Sequence, residues 1–293
     1  MNTFRLITLN CLGVPAPMTG RRLRTLAREL EGDPADVVCL QEVQAHPYRR
    51  LLTQVCTGFG SHTFEPFVYA PKGGLLTLTR HSVARAQFTL YRERGDWFGP
   101  SAADRLLHKG VLQSEFDCDG LRVVVLNTHL SANYRGDWTS ENRYVRVERA
   151  QLAQLAEIVR GLPQNALVLV AGDFNVPRDS RLFQTFLADS GLFDPLAGDE
   201  RPTYRPLAGL PARFALPIDF ALLRAPELPG LSVRAGLCFT ERLPLVGGGE
   251  GFLSDHCAIA LDVRFEAIAE TQRPDMIHEG HEGHKWAGTA STD

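Results

Sequence analysis

Six apolar runs in this chain each end in a short polar signature: Leu9-Asn10-Cys11, Leu40-Gln41-Glu42-Val43, Asn127-Thr128-His129, Gly172-Asp173-Phe174-Asn175, Pro217-Ile218-Asp219 and Leu253-Ser254-Asp255-His256. Strand ends are where a sheet converges its functional groups, so the pattern constrains the fold to one that gathers these ends at one place. The signatures run from residue 10 to residue 256. A site assembled from both ends of a chain requires those ends to fold together, which argues for one domain over residues 1–265. At 293 residues and 44% hydrophobic, the chain is long enough to bury the core that such a domain needs.

Periodicity supplies the elements between the signatures. Residues 4–9 read as a strand, and apolar residues at 23, 26, 27 and 30 predict a helix over 21–30. A buried strand follows over 36–40. A strand pair is expected over 63–70 and 74–79 around Pro71-Lys72-Gly73-Gly74, with further strands over 83–90, 110–116 and 121–128. Apolar residues at 145, 152, 155, 156 and 159 mark a long helix over 141–159, ended by Gly161 and Pro163 and followed by a strand over 166–171. A helix over 179–189, a strand over 218–223, an irregular Pro- and Gly-rich stretch and a strand over 257–265 complete the domain. This order predicts an α/β (α+β) architecture, two mixed β-sheets packed face to face with helices outside. Residues 266–293, including His278, His281 and His284, lack apolar periodicity and read as a polar, disordered tail.

A formal net charge of -3 and a pI near 6.3 give no sign of the strongly basic face of a dedicated duplex-DNA binder and suit a small or locally charged substrate. The six cysteines form no C-x-x-C pair, and Cys11, Cys39, Cys238 and Cys257 lie in or against apolar stretches. The N-terminus runs straight into a strand without the pattern of a secretory signal, and no apolar stretch is long enough to cross a bilayer. A reduced, cytoplasmic monomer without a transmembrane segment is the expectation.

Within the signatures, Glu42 emerges where a buried strand ends, and hard cations such as Mg²⁺ take one or two carboxylates plus waters and substrate oxygens. Asn10 ends the first strand, where its oxygen reaches the metal or its amide holds Glu42; the competing reading is a turn-forming Asn before Gly13 and Pro15. Asp173 and Asn175 share one face of an extended segment, so Asp173 can orient water or hold a protonated partner while Asn175 donates to a phosphoryl oxygen. Asp255 and His256 are adjacent and point to opposite sides of a strand, one toward metal and one toward phosphate. Asp219 offers the carboxylate that fixes the His256 tautomer and makes it a better base. His129 is a second imidazole, with Asn127 two residues back on the same face, and both are candidates to meet substrate. Lys109 is a cation for a phosphoryl oxygen, or else a surface lysine at a strand start. Trp97, Phe98, Tyr134 and Trp138 form a substrate rim or pack in the core.

Together, Thr8-Leu9-Asn10, Gln41-Glu42, Asn127-Thr128-His129, Gly172-Asp173-Phe174-Asn175, Ile218-Asp219 and Ser254-Asp255-His256 resemble the endonuclease/exonuclease/phosphatase (DNase I-like) superfamily, in order and over residues 4–265. The stretch Leu9-Asn10-Cys11-Leu12-Gly13-Val14-Pro15, the segment Gly95-Asp96-Trp97-Phe98 before Lys109-Gly110, and Asn127-Thr128-His129-Leu130 with Tyr134 are similar to neutral sphingomyelinases. Ser131 and Asn133 stand where those enzymes commonly have His and Glu, and Ile218-Asp219-Phe220 replaces the Cys-Asp-Arg signature of inositol-polyphosphate phosphatases. The resemblance implies a four-layered sandwich, dependence on Mg²⁺ with Mn²⁺ as an alternative, and hydrolysis of a phosphodiester in a lipid head group or nucleic acid. Carried over by position, it makes Glu42, Asn10 and Asp255 the metal site. Asp173, Asn175 and His129 then act on the phosphate and leaving group, and His256 with Asp219 activates water. A DNA endonuclease or exonuclease of the same fold is the first alternative, and a catalytically silent binding scaffold the second.

Overall fold

The computed structural model describes residues 1–95, 105–206 and 211–266, so the readings for Trp97, Phe98 and the tail from residue 267 lie outside the described residues. Thirteen strands and four α-helices occur among those described: β1 (Asn2–Asn10), α1 (Thr19–Gly32), β2 (Val37–Gln41), α2 (His46–Val55), β3 (Ser61–Thr63), β4 (Leu76–Thr79), β5 (Val83–Leu90), β6 (Gly110–Cys118), β7 (Leu121–His129), α3 (Arg143–Arg160), β8 (Leu167–Asp173), α4 (Arg181–Ser190), β9 (Asp219–Arg224), β10 (Ser232–Cys238), β11 (Leu243–Pro244), β12 (Glu250–Gly251) and β13 (Ala258–Phe265). They form a six-stranded sheet in the order β10-β13-β1-β2-β4-β3, a five-stranded sheet in the order β5-β6-β7-β8-β9, and a short β11-β12 ribbon.

Each large sheet is mixed in the same way. β1 and β2 run parallel, linked through α1, and β7 and β8 run parallel, linked through α3; the other pairings are antiparallel. A parallel pair needs such a crossover, and it leaves both C-terminal ends on one edge of the sheet. These central strands are buried on both faces, which explains why 37–41 and 167–171 read as continuous apolar runs.

Three apolar layers separate the four structural ones. Phe4, Leu6, Val37 and Cys39 of the first sheet meet Val123, Val125, Leu167 and Leu169 of the second in the central layer. On the outside, Leu23, Leu26, Ala27 and Leu30 of α1 cover Ile7, Val38 and Leu40, while Leu152, Leu155, Ala156 and Val159 of α3 cover Val124, Val168 and Val170. The helix ends follow from local chemistry. Asn142 accepts hydrogen bonds from the N–H groups of Tyr144 (3.0 Å) and Val145 (3.2 Å), Ser180 accepts from Phe183 N–H (3.2 Å), and Gly191 takes the left-handed conformation that ends α4.

The structure departs from the sequence reading in three places. The expected strand over 63–70 is reduced to β3, because Pro66 and Pro71 cannot donate to a ladder and residues 64–70 run irregularly. Helix α2, with Pro47 in its first turn, stands where no helix was expected. The stretch taken as irregular contains β10, an edge strand on β13 whose outer positions are exposed and therefore lack an apolar run.

Buried polar contacts cross the central apolar layer, one of them between β2 and β7. Gln41 Nε2 donates to Asn127 Oδ1 (2.8 Å), and Asn127 Nδ2 donates to Leu40 O, Leu76 O and Thr77 Oγ1 at 3.1–3.2 Å. The expectation that Asn127 meets substrate is corrected here: its amide is fully buried and bonded to the facing sheet. Replacing it strands buried donors and acceptors on both sheets. Asn127→Ala is expected to lower stability by about 3 kcal/mol, read as a lower urea midpoint with unchanged slope.

Candidate active site

The two parallel pairs deliver their ends to one cavity of about 510 Å³, whose lining includes Glu42, Lys109, His129, Asp173, Asn175, Asp255 and His256. Glu42 follows β2 in a left-handed conformation (φ 57°), which turns its carboxylate out of the sheet. Two glycines make room for that turn: a Cβ on Gly13 would lie 2.4 Å from Glu42 O, and one on Gly74 would lie 3.1 Å from Glu42 Cα. Holding a non-glycine residue there costs about 1–3 kcal/mol, a strain typical of functional positions. Burial pushes the Glu42 carboxyl above its usual range, although a hydrogen bond from Asn10 and the charges of His256 and Lys109 work against it.

Asn10, at the end of β1, reaches across to the other sheet. Its Nδ2 donates to Asp173 Oδ2 (2.9 Å), while its Oδ1 accepts from Leu12 N–H (3.1 Å). Asp173 sits at the end of β8 behind Gly172, where a Cβ would lie 1.9 Å from Thr128 O, so the close approach of β7 requires glycine. The Asp173 carboxylate also accepts from Asn175 N–H (2.9 Å). Its pKa is raised, first by burial and further by Asp219, against the opposing pull of His256. Asn175 lies past the end of β8 in the left-handed conformation, in place of the extended segment expected, and donates from Nδ2 to Leu130 O (3.0 Å); both side chains line the cavity.

Lys109 is buried rather than on the surface. Its ammonium donates to Leu130 O (2.6 Å) and to His129 Nε2 (3.0 Å). Burial, Lys109 and the His256 charge all hold the His129 pKa well below its ordinary value, so this imidazole is neutral. Because Nε2 accepts from Lys109, the His129 proton resides on Nδ1.

The last signature is shaped by a bend. β13 begins at Ala258, and Ser254 Oγ, bonded to Asn10 O (2.5 Å), accepts from His256 N–H (3.2 Å). Asp255 and His256 therefore both line the cavity, in place of the opposite faces expected for a regular strand. His256 Nδ1 lies 2.8 Å from Asp219 Oδ2, and its Nε2 lies 3.8 Å from Asp173 Oδ2. Burial lowers the His256 pKa, but the Asp219 and Asp173 carboxylates outweigh it and the net shift is upward.

Three arginines, Arg22, Arg178 and Arg205, hold these segments. Arg22 donates to Cys11 O, Leu12 O and Leu253 O, joining the two ends of the chain. Arg205 donates to Ser254 O and His256 O from its guanidinium and to Asp255 O (2.7 Å) from its backbone N–H. Arg178 pairs with Asp194 (2.8 Å) and donates to Asp219 O (3.1 Å). Their roles are set by carbonyls distant in sequence, so no local pattern announces them. Tyr204, its ring 5.0 Å from that of His256, was missed for the same reason.

Two sets of side chains are chemically able to hold a divalent cation. Asp173, Asp219 and His256 bring ligand atoms within 4.8 Å of one another. There, however, the two nitrogens of one imidazole face different carboxylates, and a single ion binds only one of them. Glu42 and Asp255 instead present carboxylates to the cavity beside Asn10, the all-oxygen chemistry that hard cations prefer.

The family model for the endonuclease/exonuclease/phosphatase family matches residues 7–256, which include all six signatures. The chain belongs to the endonuclease/exonuclease/phosphatase family. Members of this family are metal-dependent phosphodiester hydrolases, and this chain is an enzyme of that class. Among solved structures the fold is similar to SmcL (TM-score 0.73, 17% identity, 90% of this chain and 99% of that one). It is also similar to sphingomyelinase C from Streptomyces griseocarneus (0.68, 18%, 89% and 99%) and to D. rerio TDP2 complexed with a single-strand DNA product (0.68, 17%, 90% and 100%). No curated protein sequence matches the chain. The architecture, two mixed sheets packed face to face with helices outside, is that of the DNase I-like superfamily. No helix among the described residues is long and apolar enough to cross a membrane.

The electrostatics of His256 are open to a direct test. The carboxylate of Asp219 favours the imidazolium, so removing it lowers the pKa. In the metal-free protein, ¹⁵N NMR titration is expected to place His256 above 6.5, and Asp219→Asn to move that titration to lower pH. An unchanged titration in Asp219→Asn would show that burial and Asp173 alone set it.

Proposed function

We propose that this enzyme cleaves a phosphodiester by in-line attack of a water that His256 deprotonates, with a lipid-type, sphingomyelinase-like ester as substrate. The observation that carries the reading is the His256–Asp219 pair at 2.8 Å, opening on the cavity that also holds Glu42, Asp255 and Lys109. Asp219 keeps a proton of His256 on Nδ1, so that in the neutral imidazole Nε2 takes a proton from water; a divalent cation in the same cavity would favour that neutral form by opposing the imidazolium charge. Asp173, held by Asn10 and by Asn175 N–H, lies beside that nitrogen and stabilises the imidazolium that results. Lys109 and Asn175 offer donors to the phosphoryl oxygens and the departing oxygen, and the neutral His129 positions the Lys109 ammonium beside them.

Glu42, Asn10 and Asp255 would hold the metal, with Mg²⁺ the ion best suited to such oxygen donors and Mn²⁺ an acceptable substitute. A divalent cation bound there offsets charge on the phosphoryl oxygens. Six free cysteines, five of them buried, support a reducing compartment, and with it a cytoplasmic, monomeric enzyme. Nucleic acid is the second reading, favoured by the likeness to TDP2 with its single-strand DNA product.

Hydrolysis of bis(p-nitrophenyl) phosphate is expected to vanish with EDTA and return with Mg²⁺ or Mn²⁺. His256→Ala should lower kcat about 10²–10⁴-fold, the usual range for losing a general base. Glu42→Gln should raise the Mg²⁺ concentration needed for half-maximal rate. Activity that survives EDTA, or that is unchanged in both variants, contradicts the reading. A nucleic-acid substrate instead predicts DNA affinity that falls steeply with salt.

A further inference from the structure

The catalytic cavity is larger than a phosphoryl group and its water require, and much of its lining does no chemistry. Leu107, Tyr134, Trp138, Phe214 and Leu216 share it with the polar residues described above. The lining comes largely from two loops, one following β7 and one preceding β9, that meet at a close contact. Gly136 is left-handed (φ 64°), and a Cβ there would lie 2.5 Å from Phe214 Cε1. Glycine at this position is what allows the Phe214 ring to rest on the backbone of the other loop.

The rings are braced rather than loose. Asn133 shapes its loop by accepting from the N–H groups of Arg135 (3.1 Å) and Gly136 (3.2 Å) and by donating to Asp137 O (3.1 Å). Tyr134 makes an edge contact with Tyr144 at 5.7 Å between ring centres, and Trp138 Nε1 donates to the buried Glu148 (3.4 Å). Tyr134 is nevertheless 45% exposed, an aromatic face held open beside a catalytic centre. Bound ligands gain affinity from apolar walls that are already in place, because little conformational freedom is lost on binding.

We propose that these residues form a subsite for an apolar substituent of the phosphoester, of the size of a phenyl ring or a six-carbon chain. The inference rests on the phosphodiesterase reading and adds to it the side chains that hold the ester's substituent. Phosphoesters with only a methyl group leave the subsite unfilled and bind weakly. Aromatic and aliphatic substituents share the required chemistry, and the rings of Tyr134, Trp138 and Phe214 accept either.

Calorimetric titration of the full chain in Mg²⁺ with methyl, propyl, hexyl and phenyl phosphate tests this. A monoester carries one substituent, which is free to enter the subsite on whichever side of the phosphate it lies. Burial of a methylene increases affinity up to about fourfold, so hexyl or phenyl phosphate is expected to bind at least ~10-fold more tightly than methyl phosphate. Phe214→Ala, and Gly136→Ala through the displaced ring, are expected to lower that ratio. The tighter of hexyl and phenyl then tells whether an aliphatic or an aromatic group fits better. Affinities equal within about twofold along the series, or a ratio unchanged in both variants, overturn the subsite. A steep series from a protein that fails to hydrolyse bis(p-nitrophenyl) phosphate would instead overturn the phosphodiesterase reading and leave the subsite standing.

Discussion

Two buried amide bridges set how the sheets of this protein face one another. Gln41 to Asn127 at 2.8 Å and Asn10 to Asp173 at 2.9 Å each tie the first parallel pair to the second. The apolar layer between the sheets supplies most of the attraction, but apolar contact is non-directional and tolerates sliding. Hydrogen bonds buried within it do not, since a shift of register leaves several polar groups without partners at once. The ends of β1, β2, β7 and β8 are thereby brought to one edge. The second bridge joins structure to chemistry, because Asp173 is both an anchor and a neighbour of His256.

Charge follows from this convergence. Glu42, Asp173, Asp219 and Asp255 are drawn toward one cavity, where Lys109, His129 and His256 are the nearby basic groups. Burial raises the pKa of Glu42 and Asp173 and depresses that of His129, while the facing carboxylates raise that of His256. A surplus of carboxylate oxygen at Glu42 and Asp255 is costly by itself and becomes favourable beside a divalent cation. The separation of tasks is spatial: oxygen ligands at one side, the Asp219–His256 pair at the other, and Lys109 with His129 between β6 and β7.

Loops complete the cavity with a different material. Ser131 and Asn133 occupy positions where sphingomyelinases commonly carry His and Glu, and here both serve the loop itself. Ser131 Oγ accepts from Gln151 Nε2 (3.0 Å), and Asn133 caps the turn that leads to Gly136. The turn in turn supports Phe214, so residues that depart from the family pattern shape the part of the cavity that meets the substrate's substituent.

Much of this was legible in the sequence. The six signatures mark strand ends because apolar runs and their polar terminators are local features, and a period of two or 3.6 needs no knowledge of the fold. Glu42, Asp173, Asn175, Asp255 and His256, which line one cavity, were accordingly readable as groups that converge, and the helix-and-strand order as two mixed sheets. Asn127 was not, because alternation assigns a side chain to a face without saying what covers it; the facing sheet, rather than the cavity, took its amide. The edge strand β10 and the short β3 were illegible because exposed or Pro-limited strands carry no apolar run.

The sequence by itself determined which chemical groups end each strand, since a single chain segment specifies its own burial pattern and its terminator. Only the tertiary structure decided which of those groups meet. The Asp219–His256 pair, the Asn10–Asp173 bridge, and the arginines that fix the backbone carbonyls around them join residues 10 to 231 positions apart in the chain. Such distances are closed by the packing of two sheets across a shared apolar layer, and no local pattern encodes that geometry.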